Sequence, residues 1–201
     1  MLERIGAHSL GSLCNADTRV LAFGASIRPL EPGTKVVGRA KTARITPGQN
    51  AGIHRAVHTA EPGDVLVVDG GNSLGFGPFG DILATNCMQK SIVGLVISST
   101  VRDVAELRVL GFPVFCLGAN PTPTGKSEIG EIDIQIVCGT ARVNPGDIVV
   151  GSDDGVVIVP AEFAEEIADK ADAVVAKEQG YLQSISAGKS TYQLFDLGSR
   201  S

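Results

Sequence analysis

The sequence predicts an α/β protein with a parallel strand–helix core, an antiparallel β portion and a C-terminal helix. Three observations carry that expectation. The β-branched apolar runs at residues 64–71 and 94–98 have the composition of strands buried on both faces. Helix-like segments at 81–90 and 102–110 alternate with them, the order of right-handed crossovers in a parallel sheet. After Gly118 the chain becomes short strands joined by glycine-rich turns, followed by one long amphipathic segment from Pro160.

Composition narrows the function. The 201 residues suit one domain, read as 1–201 with 181–201 as a tail. Aromatics are 4%, Trp is absent and the net charge is −5. These argue against base-stacking platforms and phosphate-binding surfaces, so no nucleic-acid partner is expected. No apolar run reaches the ~20 residues of a membrane span, and the N-terminus lacks the pattern of a secretory signal. The expected location is therefore cytoplasmic. Cys14, Cys87, Cys116 and Cys138 are far apart with no Cys-x-x-Cys pair, so they read as small hydrophobes.

Taken in order, residues 9–30 give a short helix and an irregular crossing. Pro-Gly pairs at 32–33, 62–63 and 145–146 each mark a reversal feeding a strand. The first precedes TKVVGRAKTARI, whose period of two predicts a half-exposed strand. NAGIHRAVHTAE follows as a short amphipathic helix. The second Pro-Gly feeds DVLVVDGG, then a glycine-rich loop, GGNSLGFGPFG, and a helix over 81–90. A buried strand (94–98), a helix (102–110) and a strand (113–117) complete the core. Within the antiparallel portion, Asp153-Asp154-Gly155 reads as a tight hairpin turn. The helix from Pro160 runs to about residue 179.

Four groups of residues suggest chemistry. Gly75, Gly77 and Gly80 spell G-x-G-x-x-G between a strand and a helix, the setting of a nucleotide or S-adenosylmethionine site. The loop is long, Pro78 stiffens it, and no acidic residue lies about 20 positions on. An anion site at the start of the 81–90 helix is the better reading. His54 and His58 are four apart on one helix but lack a zincin glutamate or a third ligand, so they read as surface or interface residues. Lys90 and Lys126 read as surface residues as well. Arg102, Asp103 and Glu106 stand where a strand hands over to a helix, the usual ligand position in open α/β sheets. At ~100° per residue they span about 100° of arc. They face either one pocket or the solvent, and Thr100 with Asp103 would equally serve as an ordinary helix start.

The run HTAEPGDVLVVDGG, then Gly80-Asp81, GLVISSTVRDVAEL, FPVF and GDIVVGSDDGVVIVP, resembles one family over about residues 35–178. It is the RraA-like family, which contains the 4-hydroxy-4-methyl-2-oxoglutarate aldolases and the regulator of ribonuclease E activity. Members have often been mislabelled demethylmenaquinone methyltransferases. The resemblance implies a compact α/β/β domain of the swivelling type, trimers often paired into hexamers, and active sites between subunits. It implies cleavage of 4-hydroxy-4-methyl-2-oxoglutarate or a related 2-oxo acid to pyruvate, with oxaloacetate decarboxylation alongside. A non-catalytic regulator is the alternative, and a methyltransferase the third.

The aldolases share an Arg-Asp pair followed three residues later by Glu or Asp, and here these are Arg102, Asp103 and Glu106. The regulator branch typically lacks that aspartate. By similarity Asp103 anchors Mg2+ or Mn2+, Arg102 contacts the keto acid, and Gly80, Ile82 and Leu83 bind its carboxylate through the helix start. Asp81 and Glu106 line the water network, with Glu178 of a neighbouring subunit matched to its remaining glutamate. Members commonly carry Asp-Gly where this chain has Ser98-Ser99, and the loop at 72–79 is about one residue longer than usual. Both departures bear on substrate identity.

Overall fold

The computed structural model describes residues 1–199. Two short helices open the chain, α1 (Leu2–Gly6) and α2 (Leu10–Ala16), followed by two-residue strands β1 (Leu21–Ala22) and β2 (Arg28–Pro29). Ser9 starts α2 by accepting the Ser12 N–H at 3.0 Å, which satisfies one of the free donors of the first turn. The core then alternates β3 (Val36–Arg44), α3 (Ala51–Thr59), β4 (Asp64–Ser73), α4 (Asp81–Gln89), β5 (Gly94–Ser99), α5 (Val104–Leu110) and β6 (Val114–Cys116). The antiparallel portion comprises β7 (Glu131–Ile132), β8 (Ile136–Cys138), β9 (Ala141–Val143), β10 (Ile148–Ser152) and β11 (Gly155–Val159). Helices α6 (Ala164–Ser186) and α7 (Thr191–Leu194) follow.

The main sheet runs in the order β1-β11-β10-β3-β4-β5-β6-β2, with β7 also paired to β3. β3, β4, β5 and β6 are mutually parallel, and β10 and β11 extend them antiparallel. Alternation sorts the side chains. Leu66, Val68, Leu95 and Ile97 pack under α3, α4 and α5. Val65, Val67 and Val96 face the opposite way, against the separate β8–β9 hairpin. Beyond β3, Ile148, Val150, Val157 and Val159 meet α1, α2 and α6. The result is the helix, sheet, hairpin layering that the resemblance implies. Leu66, Leu95 and Ile97 are fully buried, each contributing about 1.5–3 kcal/mol relative to exposure.

Asp153 and Asp154 form the β10–β11 turn, with Ser152 opposite Gly155. Three boundaries differ from the sequence reading. β4 continues through the first glycines of the supposed loop: between the pairs Val68–Ile97 and Ser73–Ser99 it bulges, spending five residues against two. α5 begins at Val104, so Arg102 and Asp103 precede it, and the helical-arc argument does not apply to them. α6 runs through Ser186, so the start of the expected tail is helix.

Candidate functional site

The C-terminal ends of β4 and β5 and the starts of α4 and α5 converge on one place. Beyond Ser99 the backbone stays extended. Val101 bridges to Ala119, and the Arg102 N–H donates to Phe79 O at 2.9 Å. That bond lays Arg102 and Asp103 directly against the Gly77–Gly80 segment. A Cβ on Gly80 would stand 2.2 Å from Asp103 Oδ2 and 3.1 Å from Arg102 Cγ. One on Gly77 would stand 2.3 Å from Asn120 O and 2.8 Å from Arg102 Cβ. The two glycines therefore make room for this protein's own Arg-Asp pair.

Asp103 takes a left-handed backbone, φ 56° and ψ 44°, at the α5 N-cap, and its side chain caps nothing. Aspartate tolerates that region better than most residues, at some cost in strain. Its Oδ2 lies 3.3 Å from Arg102 Nε. The contact is an ion pair without hydrogen-bond alignment, because buried Nε has no hydrogen-bond partner among the described residues. Both side chains are about one-third exposed, 35% and 34%, so they can meet a ligand.

Arg102 lines a pocket of about 120 Å³ with Gly80, Asp81, Ile82 and Leu83. Asn50, His54, Pro78 and Lys126 complete its lining. Within the first turn of α4, Asp81 Oδ1 accepts the Ile82 N–H at 2.7 Å. The His54 imidazole is held below its usual pKa, first by burial and then by the Lys126 charge, which keeps it neutral at pH 7. Asp81 also borders a second, more open groove of about 320 Å³, where Glu106 stands with Thr85, Ala105 and Val109.

The sequence profile of the RraA-like family, described as Aldolase/RraA, matches residues 12–158. The chain belongs to the RraA-like family. A Halalkalibacterium halodurans relative, provisionally named a 4-hydroxy-4-methyl-2-oxoglutarate aldolase, is 33% identical over 162 residues, covering 81% of this chain and 77% of its own. A Deinococcus radiodurans relative with the same provisional name is 34% identical over 150 residues, covering 75% and 93%. Streptomyces coelicolor RraAS2, described as an unusual member of the RNase ES inhibitor RraA family, superposes with a TM-score of 0.82 at 29% identity, covering 91% of this chain and 96% of its own.

Against the RraA-like pattern, Ser98-Ser99 turn out to be internal ties. Ser98 Oγ accepts the Gly70 N–H at 3.0 Å and Ser99 Oγ donates to Ser73 O at 2.9 Å. The Thr100 hydroxyl, expected to cap the helix, donates instead to Phe76 O at 2.5 Å. All three residues are buried. They stitch the β4 bulge and its following loop to the end of β5, so the departure from Asp-Gly fixes the backbone behind the site. Glu178 sits on α6, where it accepts from Ser12 Oγ at 3.2 Å and Asn15 Nδ2 at 3.4 Å. It does not line the pocket of its own chain.

Among the described residues no group of three or more His, Cys, Asp or Glu stands together as a metal cluster. No helix among them is long and apolar enough to cross a membrane. Cys87, Cys116 and Cys138 are buried free thiols, and burial pushes Cys87 and Cys138 up to about 12. Sequence reasoning passed over Asn50 and read His54 and Lys126 as surface or interface residues, whereas all three line the pocket. Asn50 and His54 are four apart at the start of one helix, a spacing that places them side by side. Lys126 comes from a loop with no periodicity and carried no signal.

Proposed function

We propose that this RraA-like protein is a divalent-metal-dependent carbon–carbon lyase. It would cleave 4-hydroxy-4-methyl-2-oxoglutarate, or a related 4-hydroxy-2-oxo acid, to pyruvate, and decarboxylate oxaloacetate. The observation that carries this reading is the Arg102–Asp103 pair, held against Gly80, with Arg102 lining a pocket that includes the α4 N-terminus. Relatives that provisionally carry the aldolase name support it.

The donor set fits Mg2+ or Mn2+. Asp103 offers a part-exposed carboxylate in a cradle that a Gly80 Cβ would fill, and a single protein carboxylate suits an ion that keeps most of its water. Asp103 would hold it, and when bound such an ion polarises the keto oxygen and carboxylate of a 2-oxo acid. The first turn of α4 receives that carboxylate at the Ile82 and Leu83 amides. Because Asp81 occupies the Ile82 N–H, the arriving anion displaces it and frees Asp81 to hold water. Water held by Asp81 and Glu106 takes the proton of the C4 hydroxyl. The C3–C4 bond breaks, its electron pair passes to the pyruvate enolate, and C4 becomes the carbonyl of the second product. Arg102 stabilises the charge growing on the enolate oxygen, and protonation at C3 completes pyruvate. Oxaloacetate reaches the same enolate by losing CO2.

A homotrimer or hexamer would complete the site, with Glu178 of the partner subunit joining the water network. A pocket of about 120 Å³ is small beside the roughly 300–1,000 Å³ of usual ligand clefts. Ile82 in its lining and Val109 in the adjoining groove are 70% and 89% exposed, as residues awaiting a neighbour would be. The second reading is a regulator that binds a ribonuclease, favoured by the likeness to Streptomyces RraAS2. It requires neither metal nor Asp103.

The deciding experiment is pyruvate release from 4-hydroxy-4-methyl-2-oxoglutarate and from oxaloacetate, with and without Mg2+. Turnover that depends on metal and is lost in Asp103→Ala supports the lyase. No turnover of either substrate, or full activity in Asp103→Ala, sinks it.

A further inference from the structure

Arg102 rests on a run of chain, residues 74–79, that has no helix or strand of its own and contains Gly75, Gly77 and Pro78. Its carbonyls have no ladder to join, so side chains answer them. Ser73 O, at the end of β4, accepts from Ser99 Oγ at 2.9 Å. Phe76 O accepts from Thr100 Oγ1 at 2.5 Å, and Pro78 O from Asn50 Nδ2 at 3.0 Å. Leu74 O accepts from Asn120 Nδ2 at 2.8 Å. Asn120 differs from the other three because it also works through the second end of its side chain.

Asn120 Oδ1 accepts the Thr122 N–H at 2.9 Å, closing a turn over Pro121. Thr122 O in turn accepts the Gly77 N–H at 2.9 Å. Leu74 O only accepts and the Thr122 N–H only donates, so both bonds fix the same orientation of the amide. The Asn120 main chain is docked as well. Its N–H donates to Val101 O at 2.8 Å, and its carbonyl oxygen lies 2.3 Å from where a Gly77 Cβ would stand. The same Gly77 position is 2.8 Å from Arg102 Cβ. Both arms of the amide therefore act on 74–77, and 74–77 backs Arg102.

We propose that Asn120 is a positioning residue for the Arg102–Asp103 pair. Its amide holds 74–77 through Leu74 and Thr122 while its backbone holds Val101, so the supports on either side of the pair keep a fixed spacing. The proposal rests on the lyase reading for making that pair the reacting groups. Asn120 does not line the pocket, so it acts on the reaction through Arg102 and Asp103. The position requires an amide. Aspartate could keep the Thr122 bond, but its second oxygen would face the Leu74 carbonyl, acceptor against acceptor. Alanine would lose both bonds.

Hydrogen exchange of the full chain, followed at the Gly77, Arg102 and Thr122 amides, tests the clamp without reference to turnover. Asn120→Asp is expected to speed exchange at Gly77 and Arg102 about tenfold while leaving Thr122 within about twofold, and Asn120→Ala should speed all three. Leu95 and Ile97, in β5, should exchange as in the wild type, which separates a local release from a general loss of stability. Asn120 is half-buried, so neither variant opens the core. Unchanged exchange at Gly77 and Arg102 in Asn120→Asp, or equal acceleration at Leu95 and Ile97, overturns the proposal. Pyruvate release on the same preparations separates the two claims. A kcat for oxaloacetate about tenfold lower in both variants supports both. Faster exchange with no turnover even in the wild type keeps the clamp on Arg102 and sinks the lyase, and full turnover in both variants keeps the lyase and sinks the positioning role.

Discussion

The seam between α2 and α6 and the mouth of the pocket are both rich in charge, and they use it in opposite ways. At the seam Asp17, Arg19, Glu166 and Lys170 answer one another's charges. Asp17, its side chain 7% exposed, accepts from Arg19 Nε at 2.8 Å and from Lys170 Nζ at 2.7 Å. Arg19 also reaches Glu166 at 2.7 Å and lies 4.1 Å over the Phe163 ring. Arg4 bridges Asp169 and Asp172 nearby. At the pocket the Arg102–Asp103 contact is unaligned, Asn50 Oδ1 is unanswered, and Asp103 sits in a left-handed backbone without capping anything. A saturated network holds the fold, whereas polar groups kept close but unsatisfied are what a ligand can bind.

Asp103 offers the sharpest way to break that contrast. Asp103→Gly removes the carboxylate and relieves the positive φ together. It should lower pyruvate release by about 10³-fold or more and at the same time add up to ~1 kcal/mol of stability. At this chain length that gain raises Tm by about 2–4 °C. Thermal melting beside a steady-state assay reads both signs. A drop in both would mean that Asp103 is a structural residue like Asp17.

The two glycines divide along the same line. Alanine at Gly80 would meet the free end of the Asp103 side chain. The carboxylate can swing aside, so Gly80→Ala should cost about 10²-fold in activity with little change in Tm. Gly80 is extended, φ −153°, so its backbone is open to any residue and only space is at issue. Alanine at Gly77 would meet backbone, Asn120 O and Arg102 N as well as Cβ. Gly77→Ala should therefore destabilise by about 1–3 kcal/mol. Equal effects of the two changes on Tm would refute the distinction.

How far the sequence carries follows from which contacts are local. The buried parallel strands and the Asp153-Asp154 hairpin were legible because period and turn chemistry act between near neighbours. The Arg-Asp pair stood out through its resemblance, but spacing placed it on a helix that starts two residues too late to include it. Non-local ties fix that geometry: the Arg102 N–H to Phe79 O bond, between residues 23 apart, and the Val101–Ala119 bridge. Lys126 and Ser98-Ser99 were opaque for the same reason. One joins the pocket from a distant loop, and the others serve a bulge in a neighbouring strand.

The smallest expected effect belongs to the seam, and pH gives it a sign. Arg19 and Lys170 hold the Asp17 carboxyl well below the usual carboxylate range, through hydrogen bonds from Arg19 first and Lys170 second. A depressed folded-state pKa means that the native protein binds fewer protons than the unfolded chain. The stabilisation is therefore present above the unfolded value near pH 4 and fades as pH falls below it. Asp17→Asn should melt a few degrees below wild type at pH 7, and the gap should narrow progressively as the pH is taken down from about 4. Pyruvate release at pH 7 and 25 °C should not change, since no seam residue lines the pocket. A constant gap at all pH values would show that Asp17 acts through packing rather than charge. A loss of activity would show that the seam reaches the site, as Glu178 would do if its bonds to Ser12 and Asn15 on α2 set the position from which it meets a neighbouring subunit.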